Sequence, residues 1–193
     1  MPLLDPGLLE SRRLLVRRVA ATDLTDLGAV NGDDAVTRFL PYATWRTPAD
    51  GSAWFERMQG IQASGTALQF VVIERSSDRA IGTCLVFRHD EGSARAELGY
   101  VLGRAHLSRG YMREALGALI GGAFGPMKLR RLEAEVDPRN GASQRLLLHL
   151  GFQKEGRLRE RWVTKGESKD VDVFGLLRHE WTSAERPADS GQA

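Results

Sequence analysis

The sequence predicts a mixed α/β fold, with one central sheet and helices on both faces, and two patterns lead to this prediction. Three strand-like stretches follow one another between residues 67 and 102 with only short turn sequences between them, which indicates an antiparallel meander. Helix-like and strand-like stretches then alternate as far as residue 177. A mixed sheet covered by helices accommodates this order of elements. We expect one domain over residues 1–182 and a disordered tail over 183–193.

The first half of the chain supplies a strand, two helical segments and the meander. Residues 13–20, RLLVRRVA, have the pattern of an opening strand. A short helix follows, and Pro48 then begins a longer helix, because proline suits the first turn. The apolar face of this longer helix is predicted to contain Trp54, Met58 and Ile61. The meander strands are predicted at 67–74, 80–89 and 94–102.

The second half of the chain alternates between helix and strand. A helix after residue 110 ends near Gly125, and residues 129–136 then alternate like a strand. The next helix begins near Asn140 and ends at Gly151, since glycine readily adopts the left-handed turn at a helix end. The apolar face of the first of these helices is predicted to contain Leu116, Leu119, Ile120 and Ala123. Two late strands are predicted at 152–158 and 171–177.

Composition excludes some classes of protein without identifying one. The net charge of +2 is too small to predict binding to nucleic acid or to a membrane surface. Cys84 is the single cysteine, so a reducing compartment fits, and its apolar neighbours predict a buried thiol. The start of the chain lacks the basic-then-apolar order of a signal peptide, and no apolar run approaches the ~20 residues of a membrane span. We therefore expect a cytoplasmic protein.

The segment HLSRGYMREAL, residues 106–116, passes from strand-like to helix-like sequence without a longer loop. The first N–H groups of a helix lack intrahelical acceptors, and together with the helix dipole they can bind a phosphate group. Gly110 lets the backbone approach a ligand closely, and Arg109 and Arg113 add positive charge. The alternative is a tight turn in which Ser108 only caps the helix.

Three longer motifs, in this order, carry a resemblance to a known family. They are RAELGYVLGRAHLSRGYMREAL (95–116), DPRNGASQRLLLHLGF (137–152) and LRERWVTKGESKDVDVFGLLRHEW (158–181). Residues 10–182 resemble the GNAT superfamily of acetyl-coenzyme A-dependent N-acetyltransferases. The closest similarity is to its RimJ/RimL-like branch, which acetylates protein N-terminal amines or small-molecule amines. The resemblance implies a central, mostly antiparallel, splayed sheet flanked by helices, and acetyl-coenzyme A as co-substrate.

The resemblance also implies how coenzyme A is held. The loop 107–112 would bind its pyrophosphate through backbone N–H groups, although Leu107 and Met112 depart from the family pattern Gln/Arg-x-x-Gly-x-Gly/Ala. Residues 100–102 would lie along the pantetheine arm, with a main-chain N–H polarising the thioester carbonyl. The implied cofactor-binding residues are Tyr100, Val101, Leu102, Leu107, Ser108, Arg109, Gly110, Tyr111, Met112, Arg113, Asn140, Ser143 and Arg145.

Two residues are candidates for catalysis by the same resemblance. Glu97 is the candidate general base, acting on the amine through water; the alternative is a surface glutamate paired with an arginine on a neighbouring strand. Ser143 is the candidate donor to the leaving sulfur, because QRLLLHLGF contains no tyrosine for that role. The alternatives are that Ser143 merely occupies a first helical turn and that Asn140 is only an N-cap. Gly99 indicates a bulge or a close backbone approach.

The acceptor amine is the least defined part of this interpretation. A protein N-terminus is the first choice, and a polyamine, an antibiotic or another small amine is the alternative. Trp45 and Trp54 are candidates for lining the acceptor pocket, with core packing as the alternative for Trp54. A non-catalytic coenzyme A-binding sensor module and a homodimer stay open, whereas no motif supports a nucleotide-dependent enzyme. The four histidines lack metal-ligand spacing, so we expect no metal.

Overall fold

A computed structural model describes residues 2–181, which form one eight-stranded sheet with helices on both faces. The strands are β1 (Leu9–Glu10), β2 (Leu14–Arg18), β3 (Leu68–Glu74), β4 (Arg79–Asp90), β5 (Arg95–Leu102), β6 (Arg131–Val136), β7 (Gln153–Thr164) and β8 (Glu167–Leu177). Their order in the sheet is β1-β2-β3-β4-β5-β6-β8-β7. All neighbours are antiparallel except β5 and β6. The predicted fold class and the predicted meander are confirmed.

Five α-helices connect these strands. They are α1 (Leu24–Asn31), α2 (Asp34–Thr37), α3 (Pro48–Ala63), α4 (Tyr111–Phe124) and α5 (Gly141–His149). Pro48 opens α3 as predicted, behind a capping box formed by Thr47 and Asp50. α4 is the crossover from β5 to β6, which is why this one pair of strands is parallel. Gly151 follows α5 with a φ of 87°, in the left-handed conformation expected of it.

The two faces of the sheet have separate cores. The larger core contains the inner face of α4, where all four predicted residues, Leu116, Leu119, Ile120 and Ala123, are fully buried. α5 packs on the same core through Leu147. The smaller core lies under α1 and α3 and contains Trp54 and Met58 as predicted. Ile61 is 39% exposed instead, because it lies in the last turn of α3, beyond the edge of that core.

β7 and β8 form a hairpin that is longer than the sequence predicts. β7 extends to Thr164 and β8 begins at Glu167, whereas the predicted strands were 152–158 and 171–177. Nearly all of β7 is exposed, and residues 159–161, which follow the predicted strand, are all charged, so this part lacks the apolar alternation that marks a strand. Backbone pairing with β8 extends this part of the strand nonetheless. The predicted tail at 183–193 lies outside the described residues, and the single domain over 1–182 stays a prediction.

Candidate functional site

β5 and β6 pair at one end only and separate at the other. Their parallel register covers three residue pairs, from Arg95↔Arg131 to Glu97↔Glu133. Beyond these pairs, residues 98–102 of β5 and 134–136 of β6 continue without pairing to each other. The backbone groups of β5 that point toward β6 there have no partner on that strand. We call this opening the split; it confirms the splayed sheet implied by the resemblance.

Strand alternation places different side chains on the two faces at the split. On the face that α4 and α5 cover, Leu98 and Ala134 belong to the larger core. On the opposite face lie three carboxylates, Glu97 of β5 and Glu133 and Glu135 of β6, because each is offset by one residue from a core position. The two strands that border the split therefore have one apolar face and one charged face.

Glu97 is a buried carboxylate that is bound by one arginine. Its side chain is 8% exposed, and Arg88 Nη1 donates to its two oxygens at 2.9 and 3.1 Å. Arg88 reaches Glu97 because β4 bulges between Phe87 and Asp90, where Arg88 adopts a φ of 50°. Burial raises the pKa of Glu97, and Arg88 opposes this by favouring the ionised form. The glutamate is thus paired with a neighbouring strand, as the alternative interpretation held, but it does not lie at the surface.

Two further carboxylates beside Glu97 were not singled out from the sequence. Glu133 lies opposite Glu97 in β6. Glu135 accepts a hydrogen bond from Trp162 Nε1 at 2.7 Å, and its Oε1 lies 3.9 Å from Arg88 Nη1. Both glutamates raise the pKa of Glu97 further. The alternation of charged and apolar residues in RLEAEV is the signal that could have placed them on one face.

Tyr100 of β5 and Ser143 of α5 meet at the split. Tyr100 Oη and Ser143 Oγ are 2.6 Å apart, and either can donate the hydrogen bond. Asn140 is the N-cap of α5, as one interpretation predicted, and its Oδ1 accepts from the Ser143 N–H at 3.2 Å. Burial raises the pKa of Tyr100 to about 12, so its phenol keeps its proton at neutral pH. The sequence indicated both residues, with Tyr100 along the pantetheine arm, but not the hydrogen bond between them.

The loop before α4 enters the helix without a side-chain cap. Gly110 is the N-cap residue, with a φ of 76°, and no side chain bonds the first turn there. The alternative in which Ser108 caps this helix is therefore wrong; Ser108 lies two residues before the N-cap Gly110, with a φ of 58°. The first N–H groups of α4 have no intrahelical acceptors. Residues 107–110 are all exposed, so this helix end is open to an anion.

Arg13 fixes this loop through contacts with its backbone and its neighbours. Its guanidinium donates to the Arg109 carbonyl at 3.0 Å and pairs with Glu114 of α4 at 2.6 Å. It also lies 4.4 Å from the centre of the Tyr111 ring, a cation–π distance. The Tyr111 hydroxyl donates in turn to Glu74. The Tyr111 side chain is thus engaged within the protein, and only its backbone is available to a ligand.

The other predicted cofactor-binding residues divide by exposure. The Met112 side chain is buried, with its sulfur 3.8 Å from that of Cys84. Val101 is buried in the smaller core and Leu102 in the larger one, so a ligand can meet only the backbone of these three residues. The exposed members of the set are Leu107, Ser108, Arg109, Gly110, Arg113 and Arg145. The structure brings the whole set around the split and the start of α4, and their contact with a cofactor stays a prediction.

Gly99 does not mark a bulge, so that part of the prediction is wrong, and a close approach of its backbone to a ligand stays a prediction. The register around Leu85↔Gly99 is regular, and the shift lies between the pairs Phe87↔Glu97 and Asp90↔Arg95. A Cβ at Gly99 would meet its nearest neighbour, Phe87, at an ordinary 3.7 Å. The irregularity belongs to β4, where Arg88 is turned toward Glu97.

A cavity of about 240 Å³ lies between the end of α2, the loop before α5 and the tip of the β7–β8 hairpin. We call it the hairpin cavity. Phe39 and Trp162 are the aromatic residues in its lining. Trp45 and Trp54, the tryptophans predicted to line a pocket, pack on each other in the smaller core, with ring centroids 5.5 Å apart. Core packing is thus confirmed for Trp54 and also holds for Trp45.

The arrangement at the split can take up a proton on one face and supply one on the other. The carboxylate of Glu97 is a chemical group that can accept a proton, and the Ser143–Tyr100 hydroxyls are groups that can donate one; their roles in the reaction stay predictions. Within residues 2–181, no group of three or more His, Cys, Asp or Glu side chains is placed to hold a metal ion. The same part of the chain contains no helix that is long and apolar enough to cross a membrane.

Known proteins resemble this chain in sequence and in fold. An uncharacterized N-acetyltransferase of Bacillus licheniformis, p20, is 35% identical over 173 residues, which cover 90% of this chain and 97% of p20. The ribosomal protein uS5-alanine N-acetyltransferase of Escherichia coli K12 is 30% identical over 135 residues, covering 68% of this chain and 70% of that enzyme. Mycobacterium smegmatis RimJ in complex with CoA-disulfide has the same fold, with a TM-score of 0.80 and 21% identity over 94% of this chain and 96% of RimJ.

A family model adds the decisive match. Residues 13–153, most of the chain, match the model described as the acetyltransferase (GNAT) domain. The match includes β5, the loop before α4 and the start of α5, which together surround the split. The chain is therefore an acyltransferase and a member of the GNAT family of N-acetyltransferases, with relatives in its RimJ-like branch, as its motifs predicted.

Proposed function

We propose that the enzyme transfers the acetyl group of acetyl-coenzyme A to the N-terminal α-amine of a protein, by direct attack of the amine. One observation carries the proposal: Glu97 lies on one face of the split, and the Ser143–Tyr100 pair lies at its other side. Joining an amine to a thioester requires a proton acceptor near the nitrogen and a proton donor near the sulfur. The relative from E. coli, whose name gives an alanine of ribosomal protein uS5 as the residue it acetylates, supports a protein acceptor.

The residues around the split suit coenzyme A. When bound, acetyl-coenzyme A supplies a thioester that an amine can attack directly. The uncapped first turn of α4 suits the pyrophosphate, with Arg109 and Arg113 adding charge. The unpaired edge of residues 98–102 suits the amide groups of the pantetheine arm. The CoA-disulfide held by RimJ of M. smegmatis supports this interpretation.

Glu97 would receive the proton that the amine loses. A protein α-amine has a pKa of ~8 and is mostly protonated at neutral pH, so the reaction needs a base. Burial raises the pKa of Glu97, and Arg88 opposes this by favouring the ionised form. A carboxylate with a raised pKa binds a proton better than an exposed glutamate does.

Ser143 would donate to the departing sulfur, with Tyr100 holding its hydroxyl in place. The 2.6 Å bond fixes the serine oxygen, and the buried phenol remains protonated and able to replace a proton that the serine gives up. A thiol has a pKa of ~8.5, so its thiolate is a tolerable leaving group without strong acid catalysis. We therefore expect this pair to contribute less to the rate than Glu97.

The test is thiol release from acetyl-coenzyme A in the presence of peptides with Ala, Ser or Thr N-termini, beside a panel of polyamines and aminoglycosides. We expect release with peptides, and a fall of about a hundredfold or more in kcat for Glu97→Gln with coenzyme A binding unchanged by calorimetry. Glu56→Gln, an exposed position on α3, is the matched control and should retain full activity. Full activity in Glu97→Gln would refute the base assignment, and release with small amines alone would refute the protein acceptor.

A further inference from the structure

A contact between the hairpin tip and the end of α2 forms one side of the hairpin cavity. Lys165, at the turn between β7 and β8, donates from its Nζ to the Thr37 carbonyl at 2.9 Å. This bond joins residues 128 positions apart in the chain and holds the hairpin against the end of α2. At about 240 Å³, the cavity is smaller than the ~300–1,000 Å³ of typical ligand sites, so it suits one side chain of a longer acceptor.

The lining of the cavity carries an excess of positive charge. Its two carboxylates already have cationic partners: Asp137 binds Arg139 at 2.6 Å, and Glu167 binds Lys169. The two remaining cations of the lining, Arg38 and Lys165, form no ion pair within residues 2–181. Asp34 interacts electrostatically with Lys165 but is already bound by Arg46 at 2.6 Å, so an anionic group in the cavity would meet positive charge that is only partly neutralised.

The cavity is linked to the carboxylates at the split by a short series of contacts. Trp162 lines the cavity and donates its indole N–H to Glu135. Glu135 lies 3.9 Å from Arg88, which binds Glu97 at 2.9 Å. An acceptor that places its amine near Glu97 and continues past Trp162 would reach the cavity with its next residues, since an extended chain advances ~3.3 Å per residue.

The two ends of this path differ in how their charges are balanced. The three glutamates near the position proposed for the amine are each paired with an arginine, whereas the lining of the cavity carries net positive charge. A polyamine or an aminoglycoside, which is cationic along its whole length, would meet like charge in the cavity. An acceptor with an amine at one end and a carboxylate a few residues away matches both ends.

We propose that the hairpin cavity binds an acidic side chain at the second to fourth position of a peptide acceptor and so selects acidic N-terminal sequences. This inference rests on the proposed function, because it takes the peptide amine to lie near Glu97. Arg38 and Lys165 are the specificity-determining cations. The attraction depends on charge, so the selectivity should weaken as ionic strength rises.

The experiment compares three peptides that begin with alanine and carry Glu, Gln or Lys at positions two to four. At low ionic strength we expect kcat/KM to be about fivefold higher for the Glu peptide than for the Gln peptide, and lowest for the Lys peptide. Arg38→Glu should abolish or reverse this order. Arg178→Glu makes the same charge change at an exposed arginine beyond the opposite end of β8 and should leave the order unchanged.

A binding measurement distinguishes failure of this inference from failure of the proposed function. The same peptides are titrated by calorimetry into the protein saturated with coenzyme A. Tighter binding of the Glu peptide without any acetyl transfer would support the cavity and refute the proposed function. Acetyl transfer with equal kcat/KM for all three peptides, or a preference for the Lys peptide, would refute the cavity and leave the function standing. Neither binding nor transfer would refute both.

Discussion

The two faces of β5 and β6 are built from the same backbone and have opposite chemistry. On the face toward α4 and α5, Ala96, Leu98, Leu132 and Ala134 are at most 4% exposed and pack in the larger core. On the other face the intervening positions are Glu97, Glu133 and Glu135, which bind arginines and a tryptophan. Because side chains alternate along a strand, apolar packing can hold the backbone rigidly while the charged face is left for chemistry.

The split connects these two faces. The strands pair from Arg95↔Arg131 to Glu97↔Glu133 and separate after these pairs, so a group bound on one face can contact a group bound on the other. Tyr100 packs against the larger core yet directs its hydroxyl to Ser143 at the opening. The comparison of the faces therefore predicts that substitutions on the core face should act on stability and those on the charged face on activity.

The largest effect is expected on the core face, from Leu132→Ala. Leu132 is fully buried in β6, so truncation should lower the free energy of unfolding by about 2–5 kcal/mol through lost burial and the cavity left behind. Denaturant unfolding measures this. Leu158→Ala on β7, where the leucine is 42% exposed, is the matched control and should cost less than ~1 kcal/mol. Equal losses in the two variants would contradict the division between the faces.

A smaller effect is expected at the opening, from Tyr100→Phe. The substitution removes the hydroxyl that binds Ser143 and leaves the ring in place, so kcat should fall about tenfold while the affinity for coenzyme A stays the same. Steady-state kinetics and calorimetry measure the two quantities. Ser143→Ala and the double variant complete a cycle, and a double variant no slower than Ser143→Ala would show that the hydroxyls act as a unit. Strictly additive losses in the cycle would contradict that coupling.

The smallest effect is expected on the pH profile, from Arg88→Gln. Arg88 lowers the pKa of Glu97 against the effect of burial, so its removal should raise that pKa further. The base must be ionised to act, so the fall of kcat/KM on acidification should begin at a higher pH in this variant, and the shift should be small because Arg88 is half exposed. Arg95→Gln is the control, since Arg95 binds Glu133 and not Glu97. A shift to lower pH in Arg88→Gln would contradict the base assignment.

Features that depend on residues close together in the sequence were predictable. The buried face of α4, the N-cap at Asn140 and the left-handed Gly151 all follow from spacing and local backbone chemistry. The motifs that carried the family resemblance also indicated Glu97 and Ser143, and the structure brings both of them to the split.

Contacts between distant segments were not predictable in this way. Arg88 is directed toward Glu97 by a bulge in which Arg88 itself takes a positive φ. No local sequence pattern predicts this bulge, because residues other than glycine rarely take a positive φ. Trp162 reaches Glu135 from a strand whose outer half is too polar to be recognised, so the cavity at the hairpin tip was missed as well. Such contacts arise from the register of the whole sheet rather than from any one element.

The burial of Cys84 has a practical consequence for all of these measurements. It is the only cysteine of the chain, and burial raises the pKa of its thiol to about 12. A protonated, enclosed thiol does not react with disulfide reagents, because the thiolate is the reactive species. In an assay of the native protein, the signal of a disulfide reagent therefore comes only from the thiol of released coenzyme A. In denaturant the same reagent should react with one thiol per chain, so the reaction of Cys84 measures the fraction of unfolded protein.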